Sequence, residues 1–403
     1  MTNHTVGGEW MNSVIVVPPG WRPQAFRQFV LKIHSRCDLA CSHCYVYTMA
    51  DQRWRTRPRV MSRETIDQTA KRIAEHVRSH GLTSIDVIMH GGEPLLAGPD
   101  RITHCVSGVR AAVGNAVDVR VNIQTNGTLL GSDYLRLFQE LQVSLSVSLD
   151  GDQAAQDRHR RRADGRSSYA EVSRALRKLS AEQHRALFSG LLCTIDLRND
   201  PVATYESLLC FSPPKIDFLL PHGNWSIPPR ERSPGSPDTP YAHWLIAVFE
   251  RWYGAARQET NIRMFDEIIN VLLGGQSRVE GIGLSPVRMV VVETDGAIEQ
   301  SDSLASTYQG AAMTGLHVAD DSFDTALRLP GFIVRQLGAQ ALAAECQACH
   351  VHRICGGGLY PHRFSYDKGF DNASVYCPDL YHLISHIRNR FDRDIAALRR
   401  RSL

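Results

Sequence analysis

The chain has 403 residues, 43% hydrophobic and 22% charged, which is enough apolar material for a large core and one further module. Lys and Arg number 45 against 42 Asp and Glu, a formal charge of +3, which argues neither for nor against nucleic acid. No apolar run approaches the length of a membrane span, and the N-terminus has no basic region leading into an apolar stretch. The expectation is a cytoplasmic protein with neither nucleic acid nor membrane as partner.

Residues 1–20 read as an extension that ends in Pro18-Pro19-Gly20. From there strand-like runs alternate with amphipathic ones: strand 29–33, helix 62–80, strand 85–89, helix 102–113, strand 119–124, helix 132–141, strand 143–149, helix 168–183, then strands 190–195 and 216–220. Repeated β-then-α units predict an α/β fold, a parallel sheet with helices outside, and about six of them make a partial (β/α)6 TIM-like barrel. In such barrels the chemistry sits at the C-terminal ends of the strands. Residues 221–240, rich in Pro, Gly and Ser, read as a linker or a mobile lid. Helices follow at 241–253 and 263–273, a strand at 289–292 enters a turn at Asp295-Gly296, and a helix over 379–397 closes the chain. The divisions are an N-terminal extension (1–24), a barrel (25–220), a Pro-rich segment with bridging helices (221–285) and a C-terminal module (286–403).

Ten cysteines are no small-domain disulfide framework in a chain this long. Seven fall in two dense groups, the usage expected of metal ligation in a reducing compartment, while Cys105, Cys193 and Cys210 read as core residues. The first group, Cys37, Cys41 and Cys44, has CxxxCxxC spacing and directly follows the strand 29–33. Three thiolates leave one corner of a cubane cluster open to a small molecule, whereas a closed zinc site wants four ligands. The second group, Cys346, Cys349, Cys355 and Cys377, supplies four, which saturate either a zinc ion or a [4Fe-4S] cluster; spacing alone does not separate these. Gly356-Gly357-Gly358 after Cys355 suits a chain that folds tightly around inorganic sulfide.

The CxxxCxxC group, with the aromatic His43 before its last cysteine, resembles the radical S-adenosylmethionine (SAM) superfamily. That resemblance implies a [4Fe-4S] cluster on Cys37, Cys41 and Cys44 whose free iron binds SAM. His90-Gly91-Gly92-Glu93-Pro94, after the second strand, is similar to the superfamily's SAM-methionine motif, so Gly91, Gly92 and Glu93 are implied contacts, Glu93 to the SAM amino group. Thr125 and Asn126 at the third strand tip, Ser148 at the fourth, and Ile195 with Thr194 at the fifth are implied neighbours of the rest of SAM, strand-core packing being the alternative for the last two. So is one arginine of the run after the fourth strand, Arg160 being favoured over Arg158 and Arg161. Asp150-Gly151 has the alternative of a plain turn pair.

The second cysteine group resembles the outer auxiliary cluster of the SPASM domain found in peptide-modifying radical SAM enzymes, which implies an auxiliary [4Fe-4S] cluster and a C-terminal SPASM-like Fe-S domain. The chain departs from the full pattern, because Leu359 and Ser301 stand where cysteines of an inner cluster are expected and 280–287 contain none. Asp302 stands where related enzymes carry a proposed catalytic base, and a carboxylate in an apolar pocket suits that role; a solvated hairpin aspartate is the alternative. The stretches after Cys355 and before Cys377 resemble FxsB-type cyclophane-forming maturases, in which Tyr360, His362 and Arg363 line a peptide groove or support the cluster. The resemblance implies a ribosomally made precursor peptide as substrate, an external electron donor of flavodoxin or ferredoxin type, and a maturase without the extra C-terminal domain of some relatives. Thioether or formylglycine formation is the neighbouring reading. A zinc-binding interaction module is the rival of another class, and it leaves the ordered strand-tip motifs unexplained.

Overall fold

A computed structural model describes residues 17–233 and 235–401; most of the expected N-terminal extension and Pro234 lie outside the described residues. Strands β1 (Gln28–His34), β2 (Ser84–Gly91), β3 (Asp118–Thr125), β4 (Val143–Ser148), β5 (Phe188–Thr194) and β6 (Lys215–Leu219) stand side by side in chain order. Each is parallel to the next, with Phe29 beside Val87, Val87 beside Val121 and Val121 beside Val143. Helices α1 (Arg63–Ser79), α2 (Pro99–Val113), α3 (Ser132–Glu140), α4 (Gln153–His159), α5 (Tyr169–Ser180) and α6 (Pro201–Leu209) make the crossovers. This is the partial α/β barrel that the alternation predicts. Two of its helices, α4 and α6, had no expected counterpart, and the expected helix 168–183 stops at Ser180 before a 3-10 segment.

The local reasons are ordinary. Ser62 caps α1 by accepting the Thr65 amide at 2.9 Å, and Ile66, Ala70, Ile73 and Val77 recur at helical spacing to form its buried stripe. Each such isoleucine or valine contributes about 1.5–3 kcal/mol of burial. Strand β1 is buried along nearly its whole length because it lies inside the sheet with cover on both faces. Lys32 is only 3% exposed there, the one cation in an apolar run.

After β6 come α7 (Pro240–Tyr253), the two-residue β7 (Asn261–Ile262) and α8 (Arg263–Leu272). Strand β8 (Met289–Val292) then returns to the opposite edge and pairs parallel with β1, Phe29 beside Val290. The antiparallel β9 (Ala297–Glu299) and β10 (Met313–His317) complete one mixed ten-stranded sheet. The last helix, α9 (Cys377–Arg401), lies against α7 and α8. Its Asp379 carboxylate accepts the amides of Tyr241 and Ala242 at 2.9 and 3.0 Å, capping α7 from another helix.

The segment 221–240 is strapped down rather than lid-like. The Trp225 indole donates to the Ala373 carbonyl at 2.7 Å, Arg232 Nε to that of Val375 at 2.9 Å, and the Tyr376 hydroxyl to that of Pro221 at 2.7 Å. Its prolines set the path, and long-range bonds hold it. Cys105 and Cys193 are fully buried as expected, but Cys210 is exposed because α6 ends there and turns it outward.

Candidate active site

The loop after β1 carries Cys37, Cys41 and Cys44 as free thiols, all partly buried. It is clamped to neighbouring strand tips. The Ala40 amide donates to the Arg161 carbonyl at 2.7 Å and the Ser42 amide to that of His159 at 3.1 Å. Asp38 accepts Asn126 Nδ2 at 2.8 Å and the Thr128 hydroxyl at 2.7 Å, and Asn126 Nδ2 also lies 3.6 Å from the Cys37 sulfur. The third strand tip therefore orients the first thiol.

Behind the loop Glu93 is fully buried, and its carboxylate accepts the Thr125 hydroxyl (2.7 Å) and the amides of Asn126 (2.7 Å) and Leu95 (3.0 Å). Burial pushes this carboxyl up to about 7 against the pull of those three donors. Gly92 is a glycine for steric reasons, since a Cβ there would collide with the Arg36 carbonyl and the Tyr47 hydroxyl. Gly91, Thr125, Asn126 and Ser148 line the same cavity as the three cysteines.

At the fourth strand tip Asp150 is no turn residue. It is buried, and Arg160 Nε lies 2.7 Å from its Oδ2 while the Thr194 amide donates to Oδ1 at 3.0 Å. Arg160 is the arginine of the run that faces the cavity; Arg158 reaches Asn199 and Asp196, and Arg161 bonds the Asp157 and Gly165 carbonyls. His43 stands 3.7 Å from Asp150, and burial holds its imidazole down at about 4, so the ring is neutral. Ile195 is a correction. Its side chain is buried in the core, its amide bonds the Leu219 carbonyl, and the alternation of the strand leaves Thr194 to line the cavity.

The cavity, about 790 Å³, runs from the three thiols past Tyr45 and His90 to His222, Ser301 and His362. Asp302 stands beside it, but not in apolar surroundings as expected. Lys32 Nζ is 2.7 Å from its Oδ2, the Tyr45 hydroxyl donates to the same oxygen at 2.5 Å, and His90 Nδ1 is 3.6 Å away. Burial pushes the Asp302 carboxyl up, but Lys32, His90 and the hydrogen bond from Tyr45 outweigh it and hold it well below the usual carboxylate range. The group is an ionised acceptor fixed by a lysine. Sequence reasoning passed over Lys32, Tyr45, His90 and His222. The readable signal was Lys32, a charge inside a strand buried on both faces.

Cys346 and Cys355 sit on short helical turns, Cys349 lies in the connection between them, and Cys377 opens α9. The four sulfurs converge: burial pushes the Cys377 thiol up to about 12, and Cys355, Cys346 and Cys349 push in the same direction. Gly356, Gly357 and Gly358 all have positive φ (62°, 76° and 70°). The buried Arg363 guanidinium gathers their carbonyls, at 2.6, 3.0 and 3.1 Å. Among the described residues no carboxylate bridges Arg363; Tyr360, Cys346 and Cys355 are the main groups that favour its charge. A buried cation beside four thiols fits an anionic cluster as its counter-charge. Of the three groove candidates, His362 lines the cavity while Arg363 and the stacked pair Tyr360–Phe370 (4.3 Å) support the thiol loop.

A parallel partial barrel with three thiols, a buried glutamate and an ion-paired arginine at its strand tips has the arrangement of a radical SAM enzyme. The sequence profile of the radical SAM superfamily matches residues 31–200, and its cofactors are SAM and iron–sulfur clusters. The chain is 26% identical over 350 residues to the serine-type anaerobic sulfatase-maturating enzyme of Klebsiella aerogenes, covering 84% of this chain and 81% of that one. It is 22% identical over 363 residues to the cysteine-type enzyme of Clostridium perfringens, covering 85% and 91%. The solved structure of native anSMEcpe with bound AdoMet and Kp18Cys peptide superposes with a TM-score of 0.77 at 19% identity, over 91% of this chain and 98% of that one. Among the described residues no helix is long and apolar enough to cross a membrane.

Proposed function

We propose that this chain oxidises a side-chain β-carbon of a ribosomally made peptide and joins it to a nearby aromatic ring carbon, forming a cyclophane. The observation that carries the reading is the cavity that joins the Cys37 loop to the Asp302 cluster and is large enough for substrate side chains. Cys37, Cys41 and Cys44 would hold the [4Fe-4S] cluster that, with SAM, supplies a 5′-deoxyadenosyl radical able to take a hydrogen atom from an unactivated carbon. Cys346, Cys349, Cys355 and Cys377 would hold an auxiliary [4Fe-4S] cluster able to accept one electron.

The chain's own residues do the rest. Ionised Glu93 accepts the SAM ammonium, Arg160, held by Asp150, faces the SAM carboxylate, and the neutral His43 ring and Thr194 border the adenosyl part. Gly91, Gly92, Thr125, Asn126 and Ser148 shape the remaining contacts. At the substrate, one β-hydrogen atom leaves, the carbon radical bonds to the ring, and the ring then loses one electron and one proton. Asp302 is the acceptor for that proton through Oδ1, with Lys32 and Tyr45 holding Oδ2. The substrate loses two hydrogens in all, and an external donor of flavodoxin or ferredoxin type supplies the electron that starts each turnover.

Formylglycine formation is the second reading, favoured by the sulfatase-maturating relatives. It shares the first hydrogen abstraction and ends in an aldehyde instead of a ring bond. The test is anaerobic turnover of the reconstituted enzyme on peptide libraries with deuterium at the β-carbons, read by mass spectrometry. Deuterium in 5′-deoxyadenosine with a two-hydrogen loss and no hydrazide-reactive aldehyde supports the crosslink. A hydrazide-reactive product supports formylglycine, and absence of deuterium transfer rejects both.

A further inference from the structure

Away from the cavity, His76 and His80 stand one helical turn apart at the C-terminal end of α1. They converge on a single oxygen of Asp324, from the short helical turn Phe323–Ala326 in the C-terminal part of the chain. His76 Nδ1 is 2.5 Å and His80 Nε2 2.9 Å from Asp324 Oδ1. The two rings lie 4.5 Å apart, centroid to centroid. Among the described residues this is the one place where three His, Cys, Asp or Glu ligand atoms come within 4.8 Å of one another.

We propose that His76, His80 and Asp324 bind a divalent transition cation of zinc type, which ties α1 to the C-terminal part of the chain. Two imidazoles at i and i+4 with one carboxylate are a donor set that zinc accepts, with water completing the tetrahedron. Access fits as well. The His76 side chain is 1% exposed, but those of His80 and Asp324 are 30% and 34% exposed, so ion and water enter from the open side. The His76 ring is walled by Phe26 at 5.6 Å, Phe29 at 6.0 Å and Phe323 at 6.3 Å, an apolar shell of the kind that fixes a ligand's orientation. At metal–ligand distances of about 2.0–2.1 Å the three atoms stand about 3.3 Å apart. The two distances to Asp324 then open by about 0.4–0.8 Å, which a one-third-exposed aspartate on a surface turn can allow, and the two ring nitrogens start within 4.8 Å of each other.

The experiment uses iron-replete holoenzyme equilibrated with zinc and desalted, in wild type and in His80→Ala, His80→Gln and Asp324→Ala. The expected result is one more zinc per chain in wild type than in any variant at equal iron content. Zinc-edge absorption should show nitrogen and oxygen neighbours near about 2.0 Å and no sulfur. Zinc should raise Tm of the wild type by several degrees and leave the variants unmoved. Sulfur neighbours near about 2.3 Å would put the zinc on the cysteines and overturn the proposal. Equal zinc retention in wild type and variants would overturn it too. Because His80 is part-exposed, His80→Gln keeps the fold, and equal iron content certifies each variant.

Discussion

The two cysteine groups are built on opposite plans. The Cys37 loop is placed by the barrel: strand β1 delivers it, and the tip of β3 and the end of α4 clamp it through Asn126, Thr128, His159 and Arg161. The Cys346 group is placed by its own turns, three positive-φ glycines and one buried arginine, with Cys377 closing it from the head of α9. The first opens onto the cavity; the second lies off it, enclosed only by its own turns, with Cys346 buried and Cys349, Cys355 and Cys377 partly buried. A place on the cavity suits a site that binds a small molecule, and a place off it suits one that only exchanges electrons. Losing one thiol should therefore differ in kind between them.

The largest effect is expected at the open site. Cys41→Ala should reduce 5′-deoxyadenosine formation to background while the iron of the enclosed site persists, as read by product assay and iron analysis. Cys355→Ala should do the reverse, leaving SAM cleavage measurable and suppressing substrate conversion. Equal loss of both activities in Cys355→Ala would abolish the division of labour.

Next in size is the Asp302 cluster. Lys32→Met leaves a buried carboxylate without its ammonium, and removing one partner of a buried pair costs about 3–5 kcal/mol, measurable by denaturant unfolding of the holoenzyme. Lys32→Met with Asp302→Leu should recover most of that stability but no product, because the proton acceptor is gone. If the double variant is no more stable than the single one, the pair is not what Lys32 serves.

How much of this was legible follows from where the information is kept. The α/β alternation, the two cysteine groups and Glu93 are written in local spacing, so the barrel and the chemistry at its strand ends could be read in order. Pairing of β8 with β1 and the seating of 221–240 depend on partners roughly 150 to 260 residues away, which no local pattern encodes. Asp150-Gly151 shows the limit best. The dipeptide has the composition of a turn, and only the fold reveals that its carboxylate is buried against Arg160 and the Thr194 amide. Asp302 was legible as a carboxylate, but not its neighbours, which come from β1, β2 and the cysteine loop.

The smallest expected effect, and the sharpest on the open site, is a pH dependence. Burial raises the Glu93 carboxyl to about 7, above the ordinary glutamate value of about 4.3, so the folded protein holds this proton over a range where the unfolded chain has lost it. Two consequences of opposite sign follow as pH rises from about 4.3 to about 7. Fold stability contributed by Glu93 declines, because the native state binds more protons than the unfolded one. SAM binding strengthens, because only the ionised carboxylate pairs with the ammonium, and below the pKa affinity should fall by up to about tenfold per pH unit. Titration calorimetry of SAM on reconstituted enzyme between pH 6 and 8 reads the slope, and Glu93→Gln should flatten it while weakening binding throughout. A slope that survives in Glu93→Gln would assign the titration to another group than this buried carboxylate. No matching slope is expected in the iron content of the enclosed site, since the charge beside it is an arginine, which stays protonated throughout this range.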